Sequence, residues 1–212
     1  MLWIIIGIIS SYLIGSVPTA YIFGRVYKGI DIRKAGSGNV GATNALRVLG
    51  KGPGIMVLAL DMFKGFAAVV FLGSIVAERS VILSDESLRI IMGLACIIGH
   101  NWTIFLRFKG GKGVATTLGV LLGLSIKIPV FKLIFGLVIL TWVLTFVIAR
   151  IVSLASVLAG ISLPIYMLIL KQSATLISLG VLLCLLIVLR HKTNLKRILQ
   201  GKEPRLSFKR PA

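Results

Sequence analysis

LWIIIGIISSYLIGSVPTAYIFG, residues 2–24, is the stretch on which the reading of this chain turns. It runs twenty-three residues without a charge, and a helix needs about 20 apolar residues to cross the hydrocarbon core of a bilayer. No basic region precedes it, it is too long for the apolar part of a signal peptide, and no small-x-small cleavage site occurs before Arg25. It reads as a retained membrane helix.

Six more apolar segments follow, at 54–77, 88–106, 114–126, 133–149, 151–170 and 174–189. The fourth is short and is ended by Lys127 and Pro129; if it were re-entrant, six spans would remain. Only Arg150 separates the fifth from the sixth, so a tight turn is expected there. The chain is therefore expected to be all-α: one integral membrane bundle of about seven transmembrane helices, forming a single domain over 1–212.

Composition agrees. Of 212 residues, 57% are hydrophobic and 14% charged, with a mean hydropathy of +1.02; soluble domains run at about 45–50% and 25%. The net charge of +18 comes from 24 basic residues against six acids. Such an excess can serve nucleic acid, but these bases lie between apolar runs, where they act as an orientation signal. Eighteen fall in segments 25–53, 107–113, 190–212 and at Arg150, against five on the other side. This places the N-terminus outside and the C-terminus in the cytoplasm. Cys96 and Cys184 each sit in an apolar segment and read as small buried hydrophobes, not as a disulfide or a thiolate metal site.

Three polar motifs fall on the expected cytoplasmic side. The first is Gly36-Ser37-Gly38-Asn39-Val40-Gly41-Ala42-Thr43-Asn44, within a connection, 25–53, much longer than helix bundles usually need. Its G-x-G-x-x-G is not a dinucleotide fingerprint, which requires a preceding strand and a βαβ unit. What remains is an anion-binding nest of backbone N–H groups with Ser37, Asn39, Thr43 and Asn44 as neutral donors. If a helix starts near Thr43, Arg47 follows one turn later with a guanidinium for phosphate. A glycine-rich hairpin with solvated polar groups is the plainer alternative.

The second motif, Phe108-Lys109-Gly110-Gly111-Lys112-Gly113, is not a Walker A loop, since glycine follows Lys112. It is a glycine turn opening the fourth helix, where N–H groups and the helix dipole favour an anion. The third is His191-Lys192-Thr193-Asn194-Leu195-Lys196-Arg197. Spacings of three put His191, Asn194 and Arg197 on one helical face, although such a run can equally be a basic anchoring tail. Two further features lie inside spans. Asp61 and Lys64 share a face, as a structural ion pair or the wall of a site; His100 with Asn101 reads first as a packing group.

The chemistry is narrowed by elimination. Magnesium-dependent phosphotransfer needs clustered carboxylates, and only Asp31, Glu203 and Asp61 are available. No His-x4-Asp pattern and no nucleophile elbow occurs. Positive charge and backbone donors suit substrates that bring their own phosphates and a leaving group that is already good.

The three motifs, in this order and spacing, together with Asp61-Met62-Phe63-Lys64-Gly65 and Gly201-Lys202-Glu203, resemble the bacterial acyl-phosphate:glycerol-3-phosphate acyltransferase family along essentially the whole chain. One departure is Thr103, where that family usually has proline. The resemblance implies an enzyme of the bacterial inner membrane that moves a fatty acyl group from acyl phosphate to the 1-hydroxyl of sn-glycerol 3-phosphate. The products would be lysophosphatidic acid and phosphate, with no acyl-CoA, acyl carrier protein, metal or other cofactor. It implies Ser37, Lys112 and His191 as catalytic residues. Gly110, Gly111 and Gly113 would hold the donor's phosphoryl group through their N–H groups, with Ser37. Arg47, Lys112, His191 and Asn194 would grip glycerol 3-phosphate, and Gly36, Gly38, Asn39, Thr43 and Asn44 would form the first loop. The proton acceptor stays open between His191 and the donor's own oxygens. A transporter for a small phosphorylated compound is the rival reading, weakened because carriers usually bind near the membrane midplane.

Overall fold

The computed structural model describes residues 1–206, which form helices and turns without a strand; Lys209 and Arg210 of the basic tail lie outside the described residues. Backbone contacts group the chain into two units, Met1–Phe131 and Lys132 onward.

In the first unit the opening apolar stretch becomes two helices, α1 (Leu2–Ser16) and α2 (Thr19–Lys28), broken at Val17 and Pro18. Proline lacks the N–H that would continue the ladder, and it disfavours helical geometry in the residue before it. Gly29, at φ 66°, closes α2: its N–H returns to the Arg25 carbonyl, and that of Ile30 to Gly24, each at 3.1 Å.

The interval 25–53, expected to be a long loop, is largely helical. A 3₁₀ turn at Ile32–Lys34 and the short α3 (Ala42–Leu49) fill it, and α4 begins at Lys51, running to Ala67. These pieces are too polar to read as spans. They fold because their apolar sides, Ile32, Val40, Ala45 and Leu49, close over Ala20 and Val57 in a buried cluster. With α3 beginning at Ala42, Thr43 and Arg47 lie one helical turn apart.

Past α4, a π turn (Ala68–Leu72) and α5 (Gly73–Arg79) complete the second apolar segment. Within that turn the Val69 carbonyl accepts from Arg89 Nη1 at 3.0 Å. Arg89, buried on α6 (Asp85–Asn101), is held by Asp85 at 2.7 Å as well. The fourth segment is α7 (Val114–Lys127), which stops at Lys127 as its sequence indicates.

Helix pairs inside a bilayer gain little from hydrophobicity and associate by close packing over small residues. Here α1 meets α6 through Gly15 and Gly99, and α4 meets α7 through Gly65 and Gly119. A Cβ on any of these would run into a backbone carbonyl of the facing helix: Cys96, Tyr12, Thr116 and Met62 respectively.

The second unit contains α8 (Phe131–Ala149, its first residue at the boundary), α9 (Val152–Ile169), α10 (Ala174–Arg190) and α11 (Lys192–Leu199). Arg150, left-handed at φ 58°, makes the tight turn expected between α8 and α9. Those helices are tied by Thr141 Oγ1 to Tyr166 Oη at 2.7 Å and by Trp142 Nε1 donating to Ser156 Oγ at 3.3 Å. At His191 the chain bends by 62° from α10 into α11.

Among the described residues five stretches are long and apolar enough to span a membrane: Leu2–Lys28, Lys51–Arg79, Asp85–Leu106, Phe131–Ala149 and Val152–Ile169. The bent α10–α11 pair makes a sixth. At 14 residues α7 falls short by length alone, so the chain is multi-pass with five to six such spans.

The packing makes a direct prediction. Gly119→Ala, which sets a methyl group against the Met62 carbonyl, should lower stability by about 1–3 kcal/mol. Gly136→Ala, where nothing lies within 4 Å of the new atom, should be neutral or slightly stabilising. Thermal melting of both variants in one detergent tests the contrast.

Candidate active site

The first loop is organised from below by Asn44. This side chain is 1% exposed. Its Oδ1 accepts the Ser37 N–H at 2.8 Å, and its Nδ2 lies 3.2, 3.1 and 3.0 Å from the carbonyls of Ile32, Ala35 and Asn39. Asn44 thus folds the loop around itself, its amide engaged by the backbone. Gly36 and Gly38 have φ of 59° and 72°, and a Cβ on Gly36 would collide with Asn44 Oδ1. Glycine is needed there to wrap the chain around the amide. Above it, Ser37 and Arg47 are exposed, with Thr43 and Asn39 half-buried.

Asp31 pins the loop's entry. It accepts from the Arg33 N–H at 3.0 Å and from the Arg33 guanidinium at 2.6–3.2 Å. The Arg33 side-chain bonds outweigh desolvation and bring the Asp31 carboxyl down to about 2.

In the glycine turn, backbone N–H groups are bonded to the preceding helix end. The Gly111 N–H donates to the His100 carbonyl at 3.0 Å and that of Gly110 to Asn101 at 3.2 Å. Two of the three N–H groups assigned to a phosphoryl group therefore already serve the backbone. These glycines permit close approach instead. A Cβ on Gly110 would meet the His100 carbonyl oxygen; one on Gly111 would meet His100 Nε2 and, at 2.8 Å, the Val40 carbonyl. Gly113, at φ 78°, lies against Asn101 Oδ1 and caps α7. The contact of Gly111 with Val40 joins the second motif to the first. Lys112 is half-buried between the two glycines.

Leading into the turn, Arg107 and Phe108 are both left-handed, at φ 53° and 59°. Non-glycine residues there cost on the order of 1–3 kcal/mol each and gather at functional sites; no sequence signal marks these two. Thr103, standing where proline was expected, donates its hydroxyl to the Ser16 carbonyl at 2.5 Å and accepts the Phe105 N–H at 3.2 Å. A hydroxyl, not a ring, fixes the end of the third segment.

The sequence pairs Asp61 with Lys64 but leaves His100 apart from them. In the structure all three meet: Asp61 Oδ1 lies 2.8 Å from Lys64 Nζ, accepts from Thr19 Oγ1 at 2.6 Å and faces His100 Nδ1 at 3.6 Å. A small cleft lined by Ser16, Thr19, Val40, His100 and Gly111 opens beside them.

In the second unit His191 begins α11 and its Nδ1 contacts the Ile187 carbonyl at 2.8 Å. That contact places the proton of a neutral ring on Nδ1 and the lone pair on Nε2. Asn194 Nδ2 donates to Glu203 at 2.5 Å, joined on that carboxylate by Arg197 and Ser153, each at 2.7 Å. Asn194, read from sequence as a phosphate ligand, is thus also one arm of a clamp. Partial burial works against charge on Glu203, but the bonds from Arg197, Asn194 and Ser153 outweigh it and hold the carboxyl below its ordinary value. Among the described residues no three His, Cys, Asp or Glu side chains converge as a metal site requires.

Glycine-shaped polar loops at the ends of apolar helices define a multi-pass helical membrane protein. The family profile described as glycerol-3-phosphate acyltransferase matches residues 5–201, and the chain belongs to that family. Among curated relatives, a glycerol-3-phosphate acyltransferase of Trichormus variabilis is 39% identical over 95% of this chain and 91% of its own. One of Staphylococcus haemolyticus is 40% identical over 97% and 98%. The crystal structure of PlsY (YgiH), an integral membrane glycerol 3-phosphate acyltransferase in its glycerol 3-phosphate form, superposes with a TM-score of 0.83 at 36% identity, covering 96% of each chain. Its lysophosphatidic acid form gives 0.80 at 35%.

Two outcomes follow from these contacts. Asn44→Ala removes the centre of the first loop and should cost about 1–3 kcal/mol, read as a lower melting temperature and faster proteolysis between Asp31 and Gly41. For Glu203, whose folded-state value is lowered, the stabilisation is present above the ordinary carboxylate value and is lost as pH falls through the lowered one. Glu203→Gln should therefore flatten the acid limb of a melting-temperature profile between about pH 7 and 3.

Proposed function

We propose that this chain transfers a fatty acyl group from acyl phosphate to the 1-hydroxyl of sn-glycerol 3-phosphate, giving lysophosphatidic acid and inorganic phosphate. The observation that carries the reading is a whole-length match, 36% identical, to a membrane enzyme whose structures are described in glycerol 3-phosphate and lysophosphatidic acid forms. The named relatives are acyltransferases, not carriers.

The hydroxyl oxygen of glycerol 3-phosphate attacks the acyl carbonyl carbon, the carbon–oxygen bond to the phosphoryl group breaks, and phosphate departs with that electron pair. Ser37, Lys112 and the start of α7 at Gly113 hold the donor's phosphoryl group and stabilise its charge as it leaves. The family resemblance, not a contact between the units, assigns Arg47 and Lys112 of the first unit and His191 and Asn194 of the second to the phosphate of glycerol 3-phosphate. Gly36, Gly38, Asn39, Thr43 and Asn44 set the first loop, and Gly110 with Gly111 seats the second. The hydroxyl proton passes to His191 or to a phosphoryl oxygen of the donor. Holding both substrates in reacting geometry supplies about 7–11 kcal/mol of the barrier, in keeping with a mechanism that relies on the substrates' own phosphates.

The same reading counts α7 as a seventh span, tilted or half-buried, in a single domain of the bacterial inner membrane. The N-terminus faces out, and 25–53, 107–113 and the segment from 190 onward face the cytoplasm, supported by the excess of bases there.

Purified protein in detergent, given palmitoyl phosphate and glycerol 3-phosphate with EDTA and without coenzyme A, should yield lysophosphatidic acid and phosphate one for one. Lys112→Ala should lower kcat/KM by about 100-fold or more. Phosphate release without lysophosphatidic acid would reduce the activity to hydrolysis, and release of neither would remove the assignment.

A further inference from the structure

Asp61 and Lys64 lie inside a membrane-spanning stretch, where ionised side chains cost about 2.5–3.5 kcal/mol each on insertion scales. Both are almost fully buried, at 1% and 5% exposed. Lys64 has a structural role, since its Nζ donates to the Val17 carbonyl at 3.1 Å, at the proline break. Asp61 is more than its counter-ion. The Asp61 oxygen that receives Lys64 also receives Thr19 and faces His100 Nδ1. The opposite edge of that imidazole, Nε2, stands where a Cβ on Gly111 would be, and the His100 carbonyl holds the Gly111 N–H. Asp61, His100 and the glycine turn therefore form one line of contact, ending next to Lys112.

We propose that Asp61 is a positioning residue, which orients the His100 imidazole so that the turn carrying Lys112 is set for phosphate. This rests on the reading of that turn as a phosphate site. The carboxylate is fixed by two donors from different elements, Thr19 on α2 and Lys64 on α4, so it has one available position. His100 in turn presents a fixed edge to Gly111. A turn bearing three glycines has little stiffness of its own; its conformation is imposed from beneath, and the Asp61–His100 pair is one polar support in contact with it, beside the Asn101 carbonyl. Misplacing a phosphate-binding group by about 1 Å can cost on the order of 100-fold in rate, so the support bears directly on turnover.

Removing one partner of a buried pair leaves an unpaired charge and destabilises the fold whatever its role, whereas replacing both can be neutral. The test is therefore the double variant Asp61→Asn/Lys64→Met, with His100→Ala as a second route that leaves the ion pair in place. Each is followed by thermal melting, by calorimetric titration with inorganic phosphate and with glycerol 3-phosphate, and by initial rates with both substrates varied. The expected result is a lowered melting temperature in the double variant, which loses the Lys64 bond to the Val17 carbonyl, and one near the parent's in His100→Ala, with phosphate binding weakened about ten-fold in both folded variants and kcat/KM reduced by at least that factor through a raised KM. Parent-like binding and rates in either folded variant would overturn the proposal and leave the pair purely structural. Should the double variant fail to fold, His100→Ala decides alone. A parent protein that binds phosphate but makes no lysophosphatidic acid would sink the acyltransferase reading while the binding arm still tests the positioning role. A parent that binds no phosphate would overturn both.

Discussion

Pro18 breaks the first span inside the protein, and much of the first unit is arranged to make that break tolerable. Unpaired backbone groups are severely penalised where water cannot reach them. The Ser16 carbonyl is met by the Thr103 hydroxyl and the Val17 carbonyl by the Lys64 ammonium, while Thr19, the first residue of α2, gives its hydroxyl to Asp61. Lys64 needs a counter-ion at that depth, and Asp61 supplies it. Asp61 then faces His100, and His100 touches the glycine turn. A missing N–H in α1–α2 thereby accounts for a charged pair on the second span and ties both to the loop that follows the third.

Glycine does different work in the two parts of this unit. Between helices it removes the Cβ so that backbones approach, as at Gly15 against Cys96 and Gly119 against Met62. In the loops it permits φ values that a side chain resists and lets the chain close around Asn44 or against His100. Both uses follow from the same lack of a side chain, and the sequence alone does not separate them. That is why Gly110 and Gly111 read as anion donors although their N–H groups are held by neighbouring carbonyls.

The helical segments were legible because length and hydropathy suffice to find them: every apolar run became helical, though the first is broken at Val17 and Pro18 and the third leaves the helix at Trp102, and α7 ends at Lys127 and the chain turns at Arg150. The family was legible because three motifs keep their order along the chain. The interior of 25–53 was not, since α3 has a polar face and is eight residues long, too short to register as a periodic pattern. Nor was the Asp61–His100 contact. It joins residues 39 positions apart through a rotation of α4 against α6 that a single sequence does not encode in any local pattern. The left-handed pair Arg107 and Phe108 is invisible for a related reason: neither residue type favours that geometry, and only the bonds of Phe108 and Lys109 back to Thr103 and Leu106 impose it.

The second unit follows the same logic at its own helix break. Where α10 ends, His191 is fixed through Nδ1 by the Ile187 carbonyl, and Asn194, one turn along α11, is fixed by Glu203. Each side chain proposed to meet substrate here is held by a partner that does not, as His100 and Asn101 hold the glycine turn in the first unit. Flexible side chains lose several rotamers on binding a small phosphorylated substrate, and that entropy opposes binding. Fixing them beforehand with hydrogen bonds moves the loss to folding, where the packed helices offset it. Such an arrangement serves catalysis through positioning and charge stabilisation, both of which depend on side chains being in place before the substrate arrives.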